Sequence, residues 1–434
     1  MYKPKNENIM KHLIVILLAI PSLLFSQEWE KTFGSGTGYS VEQTLDGGYI
    51  AIGSGPYFIE CVYMIKTDSY GDTLWTKHHS INSRERFCSG HQTLDGGYII
   101  TGSTIPTDDY HTDVFLLKTD SNGDTLWSKE YGGIQDEIGS SVQQTMDGGY
   151  IITGGTSDFF SVDKVYLIKT DSNGETMWSK TYGDDYSNIG QSVWQCDDGG
   201  YFITGTTYVW LSAIGWVYLI RTDSLGNVLW TNTFDDIDED FGYSGQQTAD
   251  GGYIVTGQTE KIYNEMYDVL LLKLSANGII DWVRTYGDDN NRETGSCVQQ
   301  TTDGGYIIAG SKWTTSNSNE VYLVKTDSYG ETLWSRTYGG EKSDYGLSVQ
   351  QTTDGGYIIT GVYQDNNDTR RVYLIKTDEN GIITFTTEIP VINPNKKLIK
   401  IVDLSGREIS NPVKNTPYIE LYDDGTTQKK MKIE

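Results

Sequence analysis

The chain has 434 residues, a formal net charge of −26 at pH 7 and 12% aromatic residues. This length allows one large domain or two to three ordinary ones, and the aromatic content argues against a disordered chain. The negative charge argues against binding to nucleic acid or to anionic membrane surfaces, because both are bound mainly through Lys and Arg. Only four cysteines are present, which excludes a disulfide scaffold.

Residues 1–26 have the pattern of a secretory signal peptide. An apolar run from Leu13 to Phe25 follows three lysines, and Ser26 provides a small residue at the cleavage point. The run is too short to cross the ~30 Å hydrocarbon core of a membrane as a helix. We therefore expect no membrane-spanning segment after cleavage. The alternative is a buried N-terminal helix.

An Asp-Gly-Gly-Tyr sequence recurs seven times in the middle of the chain. Its aspartates are Asp46, Asp95, Asp147, Asp198, Asp250, Asp303 and Asp354. A tryptophan recurs in phase with it, at Trp29, Trp75, Trp127, Trp178, Trp230, Trp282 and Trp334, and Phe385 takes the eighth place. Self-similarity with a period of about 50 residues indicates a repeat architecture, which we place at residues 27–385.

Each repeat is predicted to contain four short antiparallel strands. In the third repeat these are Ser140–Thr145, Tyr150–Gly154, Val165–Thr170 and Thr176–Tyr182, joined in part by Asp-Gly-Gly and Asn-Gly hairpin turns. Seven such repeats predict an all-β fold, a seven-bladed β-propeller of four-stranded blades. The alternative is an open solenoid, but neither end of the repeats carries a cap.

Both ends of the repeat region have the sequence of a fourth strand. The chain enters on Trp29–Phe33 and leaves on Gly381–Phe385. One of these two segments must complete the seventh blade beside strands from the opposite end of the chain. The sequence leaves open which of them does so.

The phrase Asp-x-x-Gly-x-x-x-Trp, as in Asp120 to Trp127, resembles the tryptophan-docking repeats of quinoprotein-like propellers. All seven repeats carry the phrase, although Ser275 replaces the Asp in the fifth and Phe385 replaces the Trp in the seventh. The resemblance implies the fold only, because the cofactor-binding residues of quinone-dependent dehydrogenases have no match here. We therefore expect no cofactor.

Composition changes after the repeats, where Pro390 and Pro394 mark a linker at residues 386–396. Residues 397–434 are predicted to form a small β-sandwich-like domain. Its strands should be the three alternating stretches Leu398–Leu404, Tyr418–Tyr422 and Gln428–Ile433. A small β-domain with a local role is one interpretation of this segment.

The other interpretation rests on a resemblance to the type A C-terminal sorting domain of the type IX secretion system. The matching segments are Lys397–Glu408, Asn415–Pro417, Tyr422–Thr426 and Lys432–Glu434, and the candidate signal residues are Asp403, Gly406, Arg407, Asp424, Gly425 and Lys432. An aromatic-proline-asparagine-proline opening is absent. The resemblance implies export by this machinery to the medium or outer surface of a Gram-negative bacterium, with removal of the tail.

Several motifs invite a functional interpretation but fit a structural one better. The Asp-Gly-Gly segments suit Asx turns, and Asp120–Asp124 has Gly in the fourth place, whereas a calcium loop of the EF-hand kind needs it in the sixth. We expect the in-phase tryptophans to pack between blades. We expect a basic series to pair with the acidic turns, namely Lys66, Lys118, Lys169, Arg221, Lys273, Lys325 and Lys376.

The sequence offers no catalytic or metal-binding set. His78 and His79 are adjacent on a predicted strand and should point to opposite faces, and no Gly-x-Ser-x-Gly or His-Glu-x-x-His motif occurs. Cys61 and Cys88 lie in adjoining repeats and could form a disulfide in a secreted protein. Whether they do so, and whether calcium is bound, stays open.

Divergence among the repeats is concentrated in the loops between second and third strands and in the crossovers between blades. In a propeller these segments share one face, the loop face, and the two short turns share the other, the turn face. Binding usually resides where repeats on one scaffold diverge. The candidate ligand-binding residues are Phe159, Phe160, Tyr208, Trp210, Trp216, Tyr263, Tyr267, Trp313 and Tyr363.

Three functions fit these observations. The first is a monomeric secreted or cell-surface propeller that binds a glycan or protein without catalysis, because aromatic side chains beside carboxylates suit either ligand. The second is an extracellular polysaccharide hydrolase or lyase with acidic residues on the loop face. The third is a purely structural surface protein.

Overall fold

The computed structural model describes residues 28–55, 61–80, 85–105, 111–157, 163–183, 186–208, 215–234, 239–261, 266–288, 291–314, 318–383, 397–403, 407–411, 417–422 and 427–431. The chain divides into two compact units, Met1–Thr384 and Phe385–Glu434. Regular structure in the described ranges is entirely β, and no helix there is long and apolar enough to cross a membrane.

The described residues of the first unit form 28 strands. They are β1 (Trp29–Ser35), β2 (Thr37–Gln43), β3 (Tyr49–Ser54), β4 (Val62–Thr67), β5 (Thr73–His79), β6 (Glu85–Gln92), β7 (Tyr98–Thr104), β8 (Asp113–Thr119), β9 (Thr125–Tyr131), β10 (Asp136–Gln144), β11 (Tyr150–Ser157), β12 (Lys164–Thr170), β13 (Thr176–Tyr182), β14 (Ser187–Gln195), β15 (Tyr201–Tyr208), β16 (Gly215–Thr222), β17 (Val228–Phe234), β18 (Asp240–Gln247), β19 (Tyr253–Lys261), β20 (Met266–Leu274), β21 (Ile280–Tyr286), β22 (Glu293–Gln300), β23 (Tyr306–Trp313), β24 (Asn319–Thr326), β25 (Thr332–Tyr338), β26 (Tyr345–Gln351), β27 (Tyr357–Gln364) and β28 (Arg370–Thr377).

These strands form seven four-stranded antiparallel sheets, which confirms the predicted seven-bladed β-propeller. Blades one to six are β2–β5, β6–β9, β10–β13, β14–β17, β18–β21 and β22–β25. The first strand of each blade contacts the first strands of both neighbours, so these seven strands form a closed ring. Closure leaves no sheet face without a partner, whereas an open solenoid would expose one at each end.

The N-terminal segment completes the seventh blade, which answers the question that the sequence left open. This blade has the strand order β1-β28-β27-β26. Strand β1 runs antiparallel to β28, with Trp29 opposite Lys376 and Phe33 opposite Val372. The two ends of the repeat region are therefore joined by main-chain hydrogen bonds within one sheet.

A ring of glutamines also joins neighbouring blades on the turn face. In each blade the main-chain NH of the residue directly before the Asp of the Asp-Gly-Gly turn donates to the side-chain oxygen of a glutamine in the next blade. Leu94 NH, for example, donates to Gln144 Oε1 at 2.9 Å. The bond from Thr353 NH to Gln43 Oε1, 2.8 Å long, connects blade seven back to blade one. The glutamines are Gln43, Gln92, Gln144, Gln195, Gln247, Gln300 and Gln351.

The in-phase tryptophans pack between blades, as predicted. Each contacts the tyrosine of the Asp-Gly-Gly-Tyr sequence in the following repeat, edge to face, with ring centroids 5.7–6.0 Å apart. Trp75, for example, also covers Gly123, where a Cβ atom would lie 2.8 Å from the indole. Gly123 has φ +77°, so both its turn and this contact require glycine.

The basic series forms the predicted structural ladder on the turn face. Each Lys or Arg pairs with the Asp of the Asp-Gly-Gly turn in its own repeat, at 2.5–3.0 Å. In the third repeat Asp147 also accepts hydrogen bonds from the Thr145 hydroxyl and the Gly149 NH. The carboxylate is therefore already committed to its own turn, which supports the structural interpretation of the Asp-Gly-Gly motif.

The described residues of the second unit form one three-stranded antiparallel sheet. Its strands are β29 (Leu398–Asp403), β30 (Pro417–Tyr422) and β31 (Thr427–Met431), in that order. All three strands fall on the alternating stretches of the sequence. Of the candidate sorting residues, Asp403 and Arg407 are described, whereas Gly406, Asp424, Gly425 and Lys432 lie outside the described residues.

Removal of the closing strand should destabilise the whole propeller. A chain lacking residues 28–35 loses the partner of β28 and the buried Trp29, whose loss alone should cost about 3 kcal/mol. We expect a much lower melting temperature and a broader transition by circular dichroism. A chain lacking residues 386–434 is the control, and an equal melting temperature for both truncated chains would contradict closure by β1.

The two classes of tryptophan should differ in their contribution to stability. Trp127→Ala removes the contacts with Tyr150 and Gly174 in the adjoining blade and should cost about 3 kcal/mol. Trp313→Ala, at a side chain that is 36% exposed on the loop face, should cost less than about 1 kcal/mol. Chemical unfolding of both variants measures the difference, and equal losses would place Trp313 in the core.

Candidate functional site

Five of the nine predicted binding residues are described, and all five lie on the loop face. Tyr208, Trp313 and Tyr363 are in or at the ends of second strands, and Trp216 and Tyr267 are at the beginnings of third strands. The end of a second strand and the beginning of a third meet at one edge because the two strands are antiparallel. The other four lie outside the described residues, namely Phe159, Phe160, Trp210 and Tyr263.

Two of the five predicted residues come together where blades four and five meet. Phe241, near the beginning of β18, lies with its ring centroid 5.9 Å from that of Tyr208 and 6.5 Å from that of Tyr267. Tyr243 stacks on Phe241 at 6.3 Å. We refer to Tyr208, Phe241, Tyr243 and Tyr267 as the aromatic cluster. It combines three hydroxyl-bearing rings with one apolar ring.

A glycine makes this cluster possible. Tyr208 pairs with Gly215 across β15 and β16, on the face of blade four that carries Val217 and packs against blade five. A Cβ atom at Gly215 would lie 2.6 Å from the Phe241 ring. The missing side chain therefore leaves the space into which Phe241 extends.

Carboxylates give the aromatic cluster a negative electrostatic environment. The Tyr267 hydroxyl donates to Glu239 Oε2 at 2.9 Å, and burial together with this hydrogen bond raises the pKa of Tyr267 to about 12. Burial, with the nearby charges of Glu239 and Asp163, also raises the pKa of Tyr208. Burial raises the pKa of Tyr243 as well. All three tyrosines are therefore neutral at physiological pH and can donate hydrogen bonds from their hydroxyls.

Trp216 belongs to a different part of the loop face. It is adjacent to Gly215 in β16, so its side chain points to the opposite face of blade four. There it packs edge-on against Tyr186, which is 39% exposed, with ring centroids 6.1 Å apart. Tyr186 lies in the crossover between blades three and four, so this pair forms a second, smaller aromatic surface.

Trp313 and Tyr363 lie on blades six and seven. The Trp313 NH of the main chain donates to the Arg292 carbonyl at 2.8 Å, which fixes the backbone and leaves the indole partly exposed. The Tyr363 ring packs edge-on against Tyr373 at 5.4 Å. The predicted candidates are therefore distributed over four blades, and only Tyr208 and Tyr267 belong to one cluster.

Sequence reasoning missed Phe241, Tyr243 and Tyr186. Phe241 and Tyr243 belong to a first strand, whereas the predicted binding residues belong to the loops between second and third strands. The position of Phe241 varies among the repeats, since it holds Ile138 in the third, Ile189 in the fourth, Thr294 in the sixth and Tyr345 in the seventh. This variation is a sequence signal that the first strands also differ between blades.

Acidic side chains form a separate, buried group beneath the crossovers of the loop face. Each occupies the same position near the beginning of a first strand and is at most 6% exposed, and they are Glu137, Asp240, Glu293 and Asp344. Burial raises the pKa of Glu137, Glu293 and Asp344. Asp344 accepts hydrogen bonds from the main-chain NH groups of Gly340 and Gln364, which is a structural role.

The histidines of the first two blades have separate neighbours. His78 stacks on Tyr63 with centroids 4.3 Å apart, His79 lies 3.0 Å from the Thr125 hydroxyl, and His91 lies 2.5 Å from Glu42. Within the described part of the chain, no group of three or more His, Cys, Asp or Glu residues is arranged to hold a metal ion.

Two further sequence questions receive a partial answer. Asp120 Oδ1 accepts the main-chain NH groups of Asn122 and Asp124, so this carboxylate closes a hairpin turn. Cys61 is buried, with Sγ 3.5 Å from His78 Nδ1. The side chain of Cys88 lies outside the described residues, so its pairing with Cys61 stays a prediction.

Comparisons with known proteins identify a fold. No family model and no curated protein match the chain. Among solved structures, the chain is similar to a polysaccharide lyase of the ulvan lyase type bound to -[GlcA(1-4)Rha3S]-, with a TM-score of 0.54 and 8% identity over 82% of this chain and 98% of that one.

Two other solved structures show weaker similarity. The WD40 domain of Neurospora crassa Pan2 has a TM-score of 0.48 and 11% identity, over 82% of this chain and 98% of that one. A protein of unknown function from Dyadobacter fermentans has a TM-score of 0.46 and 9% identity, over 80% and 97%. At such low identity, the comparisons show the β-propeller fold alone.

Proposed function

We propose that this chain is a secreted or cell-surface protein whose loop face binds an extracellular glycan or protein without catalysing a reaction. The observation that carries the proposal is the aromatic cluster at blades four and five. Tyrosine rings that are held by packing offer a flat apolar surface and a hydroxyl at little cost in conformational entropy. A sugar ring, with one apolar face and a rim of hydroxyls, matches this chemistry.

The charge of the site favours an uncharged polysaccharide over an acidic one. Glu239 bonds to Tyr267, Asp163 lies close enough to influence Tyr208, and the whole chain carries a net charge of −26. A polymer with carboxylate or sulfate groups would be repelled by this field. Neutral hexose polymers, whose hydroxyls can donate to Glu239, therefore fit best.

The alternative of a polysaccharide hydrolase or lyase has less support. The acidic residues of the loop face that could serve as acid or base include Glu137, Asp240, Glu293 and Asp344, and all four are buried. A catalytic carboxyl group must reach the bond that is broken. Burial beneath the crossovers is typical of structural residues and favours binding over catalysis. A purely structural surface protein would bind no glycan, so a binding measurement distinguishes it from the proposed function.

Two tyrosines of the cluster provide the test. We expect the purified protein to bind at least one neutral polysaccharide on a glycan array and to leave every bound polysaccharide uncleaved. Tyr208→Ala and Tyr267→Ala should each weaken that binding by about 2 kcal/mol, which is about 30-fold in Kd. Tyr329→Ala is the matched control, because Tyr329 is 70% exposed on the turn face.

Three results would contradict the proposal. Cleavage of a bound polysaccharide would favour an enzyme, and the absence of any glycan or protein ligand would favour a structural protein. Binding that is equally sensitive to Tyr329→Ala and Tyr267→Ala would place the ligand elsewhere. Thermal melts of all three variants check that changes in binding do not come from unfolding.

Export by type IX secretion is the second part of the proposal, supported by the resemblance of residues 397–434 to its sorting domains and by the signal-peptide pattern of residues 1–26. A reporter that carries a signal peptide and residues 386–434 should reach the surface or medium of a host with this machinery. Deleting Lys432–Glu434 should retain the reporter in the periplasm. Equal export with and without these three residues would refute the sorting function.

A further inference from the structure

One position near the turn-face end of the first strands differs between the blades. It is the residue directly before the last residue of each first strand. Blade one has Glu42 there, blade two has His91 and blade four has Trp194. The other four blades have glutamine, namely Gln143, Gln246, Gln299 and Gln350. The one acid and the one histidine at this position therefore belong to neighbouring blades.

Glutamines at this position join the first strands of neighbouring blades. Gln143 Oε1 accepts the main-chain NH of Gln195 in the next blade at 2.6 Å. Gln350 Oε1 accepts the main-chain NH of Gln43 at the same distance and so joins blade seven to blade one. A glutamine side chain is neutral at every pH at which the protein is folded. These bonds between blades are therefore independent of pH.

Glu42 makes the same bond and adds a charge. Its Oε2 accepts the main-chain NH of Gln92 in blade two at 2.7 Å. Its other oxygen, Oε1, lies 2.5 Å from His91 Nδ1, where a glutamine would carry its NH2 group. The Glu42 and His91 side chains are 21% and 37% exposed. Each is thus partly removed from water, which strengthens the interaction between them.

Glu42 also controls the protonation of His91. Burial lowers the pKa of His91, but the negative charge of Glu42 and the hydrogen bond with it outweigh burial and raise this pKa above its usual value. In the described part of the chain, Glu42 is the one charged group that contributes to this shift. The position that corresponds to His91 in blade three holds Gln143, which is neutral.

Other charged groups at this end of blades one and two are paired within their own repeats. Asp46 pairs with Lys66 at 2.9 Å, and Asp95 pairs with Lys118 at 3.0 Å. These four side chains belong to the repeated ladder of the turn face, which is the same in every blade. The pair of Glu42 and His91 is an addition to that ladder at a single junction.

We propose that Glu42 and His91 form a pH-sensitive ion pair, which strengthens the junction of blades one and two while His91 is protonated. The protonated imidazole donates a charge-assisted hydrogen bond to the carboxylate. When the imidazole loses its proton, the attraction between opposite charges is lost, whereas the bond from Gln92 NH to Glu42 remains. The junction then weakens at the turn face. The proposal is independent of glycan binding at the loop face.

The raised pKa of His91 gives the direction of the pH dependence. A histidine whose pKa is higher in the folded chain contributes stability that is fully present below its unfolded pKa of about 6.5. This contribution is lost as pH rises through the folded pKa. The ion pair should therefore stabilise the propeller in a mildly acidic medium and stop doing so as the medium becomes alkaline.

Titration of His91 in the full chain tests the proposal directly. NMR spectra of protein with labelled histidine should give a pKa of His91 above the usual value, and His91→Gln identifies its signal. Glu42→Gln should bring this pKa below the usual value, because burial then acts without an opposing charge. A wild-type pKa at or below the usual value, or an equal pKa in Glu42→Gln, would overturn the proposal.

Chemical unfolding at pH 6 and pH 8 provides a second measurement. A partly exposed ion pair changes the unfolding equilibrium constant by about two- to fivefold. From pH 6 to pH 8, this constant should therefore increase about two- to fivefold more in the wild type than in Glu42→Gln or His91→Gln. Both variants should fold, because glutamine is the residue of four other blades at this position. An equal pH dependence in the wild type and both variants would contradict the ion pair.

His79→Gln is the matched control for these measurements. Burial lowers the pKa of His79, so its contribution to stability has the opposite sign and is lost as pH falls. His79→Gln should therefore keep, or enlarge, the loss of stability between pH 6 and pH 8. If His79→Gln removed that loss and His91→Gln kept it, the pH dependence would not come from His91 and the proposal would be wrong.

Discussion

The contact between each in-phase tryptophan and the next blade is the interaction on which the propeller depends. A four-stranded blade has two apolar faces, and each is buried only against a neighbouring blade. Trp29 makes this contact from the closing strand, where its ring covers Gly71 and packs on Tyr49. The chain therefore uses the first strand that the structure describes to complete its last blade, and stability becomes a property of the ring as a whole.

Closure also explains why the two faces of the propeller differ. On the turn face, a carboxylate such as that of Asp147 accepts hydrogen bonds from Lys169, from the Thr145 hydroxyl and from the Gly149 NH in its own repeat. Any change there would disturb a buried lysine, so all seven repeats keep the motif. On the loop face the constraint is weaker, and a position such as that of Phe241 differs from repeat to repeat and can serve one junction alone.

The repeated features could be predicted from the sequence because the same contact in every blade demands the same residue. The fourth strand of the third repeat, Thr176–Tyr182, has the predicted bounds, whereas the first begins at Asp136, because a bulge between Gly139 and Ser141 interrupts the alternation. The aromatic cluster could not be predicted in full. Phe241 and Tyr208 meet across a blade boundary through the space left by Gly215, and a linear pattern does not encode that distance.

Differences among the repeats show how the fold compensates a local change. In the fourth repeat Cys196 takes the place of the threonine that bonds the turn aspartate, and there Arg221 replaces lysine. Its guanidinium contacts both oxygens of Asp198 and the Tyr253 hydroxyl, so a second donor restores what the lost hydroxyl supplied.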